Sequence, residues 1–332
     1  MSGGPARVLD ALRRAGGRTC SGTHLASELG VSRAQVWKDV ETLRARGYEI
    51  AGSSGGGYRL LGAPDRLYPE QLQAGLETRW LARDIRYFDQ IDSTNRAALE
   101  LAREGAAHGT CVVAEAQSAG RGRLGRSFFS PPYLNLYVSV VLRPDVTTTQ
   151  APAWILAATV AVADAVADTL GSDADVEIKW PNDVLLGGLK TSGILMELTA
   201  EATHVSTLVL GIGVNLNVPR EAFPDAFRHL ATSLASHSGA RIDRIAFARC
   251  LFQHLETLLD ACAEKGFRAV LPRFQARFQM GGRHVRVIER DGSEIAGTVR
   301  GIDTDGALLL AVEGGEELRV IAGDVTLDKE RP

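Results

Sequence analysis

Gly120-Arg121-Gly122-Arg123-Leu124-Gly125-Arg126 packs three glycines and three arginines into seven residues, and its reading decides between two folds. Taken literally it matches G-x-G-x-x-G, the turn that opens a helix in doubly wound sheets and cradles a pyrophosphate. That motif must lead into a helix. Here it leads into Ser127-Phe128-Phe129-Ser130-Pro131-Pro132, and paired prolines prevent a helix from continuing. The alternative is a mobile loop whose glycines bring backbone N–H groups close to an anion while Arg121, Arg123 and Arg126 supply charge. A solvated basic loop is the competing account, but three guanidiniums so close repel one another unless an anion lies among them.

Outward from this loop the pattern is α+β. Thr110–Ala116 and Leu134–Leu142 read as buried strands, and Pro152–Leu170 as an apolar helix with a buried interior. Val176, Ile178 and Trp180 alternate with Glu177 and Lys179, a half-buried strand. Val184-Leu185-Leu186 and Ile194-Leu195-Met196 are joined through Gly187-Gly188 as a hairpin. His204–Leu216 is a further strand, Arg244–Lys265 a long amphipathic helix, and Leu72–Leu81 a linker helix.

Polar residues cluster at the ends of these elements. Lys179-Trp180-Pro181-Asn182-Asp183 closes a strand with a turn that presents an amide and a carboxylate, as structural turns also do. Lys190 follows the hairpin turn, and Gly193 leaves room beside it for a ligand. Ser93, Thr94 and Asn95 stand at a helix start, where capping explains them and binding of a polar head group explains them equally. Gly211-Ile212-Gly213-Val214-Asn215 would let a flat ring approach the sheet, with Asn215 at its edge; a bulged strand is the plainer reading.

The first 62 residues are different. Three short helical patterns, the last two separated by Gly30-Val31-Ser32, spell helix–turn–helix. The third, Arg33–Arg46, has an apolar stripe of Val36, Val40 and Leu43. Ser32 caps it, and Arg33, Gln35, Trp37, Lys38 and Arg44 lie off the stripe as donors suited to phosphates and base edges. Tyr48–Ile50 and Tyr58–Leu60 flank Ser53-Ser54-Gly55-Gly56-Gly57 as a wing. This segment carries nine Lys/Arg against five Asp/Glu, while the whole 332-residue chain has 37 against 40, a net charge of −3. A basic segment on an acidic body points to an anionic partner for that segment alone. At the other end, Arg283–Ile288, Glu294–Ile302, Ala307–Val312 and Glu317–Ile321 are β runs separated by Asp291-Gly292, Asp305-Gly306 and Gly314-Gly315, which reads as a small β barrel of SH3 size.

Composition excludes several classes. Apolar residues make up 45% and charged residues 23%, so disorder and fibrous repeats are out. Cys20, Cys111, Cys250 and Cys262 form no CxxC pair and no Cys/His cluster at ligand spacing, so neither a disulfide framework nor a metal site is expected. The start has no signal-peptide core, and the apolar run Ala153–Ala163 stops at Asp164, short of a membrane span. A cytoplasmic protein without membrane contact is expected. No Ser-His-Asp or Cys-His arrangement stands out.

In this order, DSTN at 92–95, Gln117 with GRGRLGR, KWPND at 179–183, KTSGIL at 190–195 and GIGVNLN at 211–217 resemble the biotin–protein ligases. With the winged helix, the chain is similar to the bifunctional members that also repress the biotin operon. The Asp of KWPND separates them from lipoate ligases of the same fold. The resemblance implies a winged helix over 1–62, a class II synthetase-like mixed sheet with helices over 63–280, and an SH3-like barrel over 281–332. It implies that biotin and MgATP form biotinyl-5′-adenylate, which a carrier-protein lysine then attacks. Ser93, Thr94, Gln117 and Asp183 would hold the ureido ring, with Asn95 and Gly193 beside the biotin. Arg121, Gly122 and Arg123 would close over the adenylate. Lys190 would contact the biotin carboxylate and the α-phosphate, with Arg123 its catalytic companion. Arg126, Asn182 and Asn215 would hold the nucleotide. The implied partners are a biotin carboxyl carrier protein of acetyl-CoA carboxylase, operator DNA and, with adenylate bound, a second copy of the chain. No resident metal site is implied, and Mg²⁺ enters with ATP. An effector-binding repressor without ligase activity is the alternative.

Overall fold

A computed structural model of the chain describes residues 4–53, 55–171, 174–289 and 292–327. Ser54 of the wing tip, Asp291 of one barrel turn and the tail 328–332 lie outside them.

The amino-terminal segment follows the sequence closely. Helices α1 (Gly4–Arg14), α2 (Gly22–Leu29) and α3 (Arg33–Ala45) precede an antiparallel pair, β1 (Glu49–Ser53) and β2 (Gly57–Gly62). Ser21 and Ser32 cap α2 and α3 by accepting the N–H of His24 and Gln35, at 3.0 and 3.1 Å. Between them Gly30 takes φ +67°, the left-handed conformation the turn demands. Val8, Leu9, Leu12, Leu25, Val36, Val40 and Leu43 close a separate core.

The linker helix is much shorter than the sequence suggests: α4 covers only Pro69–Gln73. Gly75 at φ +74° ends it. The backbone N–H groups of Arg79, Trp80 and Leu81 then donate to the Glu256 carboxylate at 2.7–2.9 Å, which substitutes for helical bonds. Burial would raise the Glu256 pKa, but these three donors and Arg79 outweigh it and hold the group below its ordinary value.

The body comprises β3 (Ile85–Phe88), α5 (Thr94–Arg103), β4 (Cys111–Ala114), β5 (Leu136–Leu142), α6 (Pro152–Leu170), β6 (Val176–Lys179), β7 (Asp183–Leu186), β8 (Leu189–Glu201), β9 (His204–Val214), α7 (Leu234–Ser238), α8 (Arg244–Lys265) and α9 (Leu271–Arg277). Its seven strands run in the order β3-β4-β5-β9-β8-β7-β6, and only β3 and β4 are parallel. The two-residue period of each strand divides the sheet. Val138, Val140, Leu208, Leu210, Ile212, Val184 and Ile194 face α6 and α8 in the main core. Val112, Val141 and Val209 face α5 on the other side. The helix α6 runs on through Asp164, whose carboxylate pairs with Arg273 and Arg277 at 3.3 and 3.1 Å. It is long and apolar enough to cross a bilayer, but it is mostly buried here as the central core helix.

The carboxy-terminal segment corrects the sequence reading. Strands β10 (His284–Ile288), β11 (Glu294–Ile302), β12 (Leu308–Ala311), β13 (Glu317–Val320) and β14 (Asp324–Leu327) form one antiparallel sheet in the order β13-β12-β11-β10-β14. The ends β13 and β14 do not pair, so among the described residues no SH3-like barrel closes. The reason lies in what covers the apolar face. Val285, Val287, Val299, Leu308 and Leu310 join the main core of the body rather than a core of their own. Trp180 Nε1 donates to the Gly306 carbonyl at 3.0 Å, and a Cβ at Gly306 would lie 2.2 Å from Leu156 Cδ1. The strand β14, at the far edge of this sheet beside β10, was not read from the sequence.

Candidate active site

On the α5 side of the sheet, register aligns the residues that the sequence singled out. Asp183 pairs with Gly193, Gly193 with Gly213, and Gly213 with Tyr137, making one row across four strands. The next row is Leu195, Gly211 and Ser139. Gly211 and Gly213 thus follow one another along the floor of an open cleft. Both are needed bare. A Cβ on Gly211 would lie 1.9 Å from Asn95 Oδ1, and one on Gly213 would lie 2.7 Å from the Phe128 ring.

One wall is neutral and polar. Ser93 precedes α5 as its N-cap residue, and its side chain makes no capping bond. The Thr94 N–H and hydroxyl both donate to Gln117 Oε1, at 2.9 and 3.1 Å. Gln117 Nε2 in turn donates to Ser130 Oγ at 3.1 Å. Ser139, which the sequence reading missed, links Thr94 and Asn95 by bonds of 2.8 and 2.6 Å. A lone serine in the otherwise apolar run Leu136–Leu142 was the available signal.

The other wall is cationic. The 120–126 segment does not open a helix; it is a loop with a 3₁₀ turn at Arg123–Gly125, and Leu124 is held at φ +52°. The dinucleotide fingerprint is therefore excluded. Arg121 pairs with Glu197 at 2.9 Å, and Arg126 pairs with Asp324 of the carboxy-terminal sheet. Arg123 donates to Asn182 Oδ1 and to the Gly323 carbonyl, both at 2.9 Å. Neither Glu197 nor Asp324 was expected from the sequence. Lys190 Nζ lies 2.6 Å from Asp183 Oδ1. The room at Gly193 is taken by this lysine: a Cβ there would lie 3.1 Å from both Cε and Nζ. Burial lowers the pKa of nearby Lys179 below its ordinary value.

Twelve of the expected residues, from Ser93, Thr94, Asn95 and Gln117 to Asn182, Lys190 and Gly193, line this one cleft. Asn215 does not. Its Oδ1 accepts from Asn135 Nδ2 and its Nδ2 donates to the Thr232 carbonyl, both at 3.2 Å, so its amide is spent on fixing the end of β9.

In the amino-terminal segment, Arg33, Gln35, Trp37 and Lys38 lie exposed on α3 with Ser32 at its start, while Val36 and Val40 point inward. Arg44 behaves differently. It donates to the Ile50 and Gly52 carbonyls and ties α3 to the wing.

Three family descriptions match the chain: an HTH domain over residues 6–59, the biotin/lipoate A/B protein ligase family over 87–215, and a biotin protein ligase C-terminal domain over 280–328. The bifunctional ligase/repressor BirA of Bacillus subtilis is 35% identical over 320 residues, which cover 96% of this chain and 97% of that protein. BirA of Escherichia coli is 33% identical over 303 residues, covering 90% of each. Among solved structures, a biotin protein ligase from Aquifex aeolicus in complex with biotin and ATP superposes with a TM-score of 0.63. It is 26% identical and covers 75% of this chain and 100% of that one.

Proposed function

The chain belongs to the biotin–protein ligase family, and we propose from that premise how its cleft activates biotin with ATP and passes it to a carrier lysine. The observation that carries the reading is the meeting of two unlike walls over one glycine floor. The neutral wall of Ser93, Thr94 and Gln117, with Asp183 at the end of the row, offers matched donors and acceptors for a cyclic urea. The cationic wall of Arg121, Arg123, Arg126 and Lys190 suits a carboxylate beside a polyphosphate. Gly211 and Gly213 make room for Asn95 and the Phe128 ring, against which the flat bicycle would lie, with Gly193 bordering it.

In the first step a biotin carboxylate oxygen attacks the α-phosphorus of ATP, and pyrophosphate leaves with the electrons of the broken P–O bond. Negative charge grows at the phosphorus oxygens. Lys190, positioned by Asp183, meets that charge, and Arg123 exchanges its bond to Asn182 for it. Mg²⁺ enters as part of MgATP, and Asp324 and Asn182, once Arg126 and Arg123 turn to the phosphate, would offer hard oxygen donors of the class it prefers. In the second step the carrier's lysine amine attacks the acyl carbon and AMP departs. The loop over the cleft keeps water from the mixed anhydride meanwhile. Asn215 serves from behind, by holding β9.

The divisions 1–62, 63–280 and 281–332 then match three tasks: operator binding, chemistry, and a wall that anchors the arginine loop through Asp324. Ser32 at the start of α3 and its exposed Arg33, Gln35, Trp37 and Lys38 enter the major groove. The stretch of β8 beyond Gly193 has β9 on one side and no strand on the other among the described residues. That edge receives either the carrier or a second copy of the chain. Adenylate would order the loop, favour the homodimer and so place two winged helices on one operator.

Incubation with biotin, MgATP and a carrier domain tests the enzymatic part. Biotin is expected on one carrier lysine, with pyrophosphate released for biotin and not for lipoate. Absence of transfer would leave an effector-binding repressor. A gel shift on biotin-biosynthesis promoter DNA tests the other part, and binding unchanged by biotinyl-adenylate would remove the regulatory role.

A further inference from the structure

We propose that Asp168, Cys250 and His254 form a site for a thiophilic divalent cation, Zn²⁺ being the best match, on the flank where α6 meets α8. Cys250 and His254 are four residues apart on α8 and so project from one face of the helix. Asp168 comes from the last turns of α6, which packs alongside α8 in the main core. The sequence reading found no Cys/His cluster because the third donor is 82 residues away from the first.

The donors already converge. His254 Nε2 lies 2.8 Å from Asp168 Oδ2, Cys250 Sγ lies 3.9 Å from the same oxygen, and all three ligand atoms fall within 4.8 Å of one another. Tetrahedral Zn²⁺, with bonds of roughly 2.0 Å to N and O and 2.3 Å to S, holds its donors about 3.3–3.6 Å apart. Shifts of about half an ångström around Asp168, and of at most about 1.3 Å between Cys250 and His254, would convert the present contacts into a coordination shell. Cys, His and Asp are the borderline-soft set that Zn²⁺ favours, and the donors sit on two helices held by core packing, which fixes their spacing. Asp168 is exposed, so solvent would complete the fourth position. On binding, the Cys250 S–H bond breaks, an S–metal bond forms and the proton passes to water; no electron is transferred. The ion would pin the end of α6 to the middle of α8, a structural role separate from the ligation chemistry.

The test uses the full chain without an affinity tag, titrated with Co²⁺ as a spectroscopic stand-in. One equivalent is expected to bind with a near-ultraviolet thiolate-to-cobalt band. The band should vanish in Cys250→Ser, and affinity should fall in His254→Ala and Asp168→Asn by more than the tenfold lower bound for losing an outer-shell partner. In the parent chain, Zn²⁺ should protect Cys250 from alkylation, which reads the site without any substitution. Thermal melts confirm that each variant is folded. Cobalt bound without the sulfur band, a band surviving in Cys250→Ser, or unaltered alkylation of Cys250 under Zn²⁺ would overturn the site.

Discussion

Arg244 and Arg121 are both guanidiniums anchored at the sheet, yet they stand in opposite surroundings. Arg244 is fully buried and donates to Glu115 Oε2, to Asp65 Oδ1, and to the carbonyls of Asp65 and Asn135, at 2.8–3.1 Å. Glu115 is itself fully buried and accepts the Leu67 N–H at 2.8 Å. This network joins the segment after the wing to β4 and α8 and leaves nothing for a ligand to displace. The cleft arginines lie at the opposite extreme. Arg121 and Arg126 are 47% and 63% exposed and rest on carboxylates that an entering phosphate can replace. Buried pairs are strongly coupled to stability, whereas exposed pairs contribute little and exchange partners readily. The same residue type is buried and architectural in one region and held by exposed, exchangeable ion pairs in the other.

The sharpest way to break that contrast is Arg244→Met. It strands Glu115 as an uncompensated buried charge and is expected to cost about 3–5 kcal/mol of stability. Urea denaturation followed by tryptophan fluorescence measures this, and a loss below about 1 kcal/mol would make Arg244 no different from a surface arginine. Lys190→Ala should do the converse. Adenylation, read as pyrophosphate release, should fall by about 10²–10³-fold with biotin affinity much less affected. Equal losses in both would mean that Lys190 serves binding rather than the transition state.

Smaller effects sharpen the comparison. Glu256→Gln removes a carboxylate that collects three backbone donors, and about 1.5–3 kcal/mol should be lost at neutral pH. Its folded pKa is depressed, so its stabilisation is present above the ordinary value of 4.5 and disappears as the pH falls through the folded value. The melting difference between parent and variant should therefore close in acid. Asp324→Ala should change stability by less than about 1 kcal/mol, because its partner Arg126 is largely exposed. A larger change in a thermal melt would show that the loop latch is structural.

How far these regions were legible follows the same division. The helix–turn–helix was plain because local signals suffice: Ser32 caps, Gly30 turns, and Val36, Val40 and Leu43 repeat at helical spacing. Helices α6 and α8 run over the residues that their apolar patterns marked, Pro152–Leu170 and Arg244–Lys265. The cleft residues were found because their motifs are dense, yet their geometry was hidden. Only strand register shows that Asp183, Gly193 and Gly213 form one row. Glu197, Ser139 and Asp324 act through contacts between residues far apart in the chain, which no local pattern encodes. The barrel expectation failed for a related reason. Four alternating runs specify strands, but whether a sheet closes depends on what covers its apolar face, and here that is Leu156 and Trp180 of the body.

The central claim is that the loop arginines exchange protein partners for the phosphate of an acyl-adenylate. Its most direct test is the rate at which preformed biotinyl-adenylate leaves Arg123→Gly compared with the parent, followed by chase with excess biotin. Loss of one charge-assisted hydrogen bond should speed release about ten- to a hundredfold. Equal rates would mean that Arg123 stays on Asn182 and Gly323, and that the loop holds no phosphate.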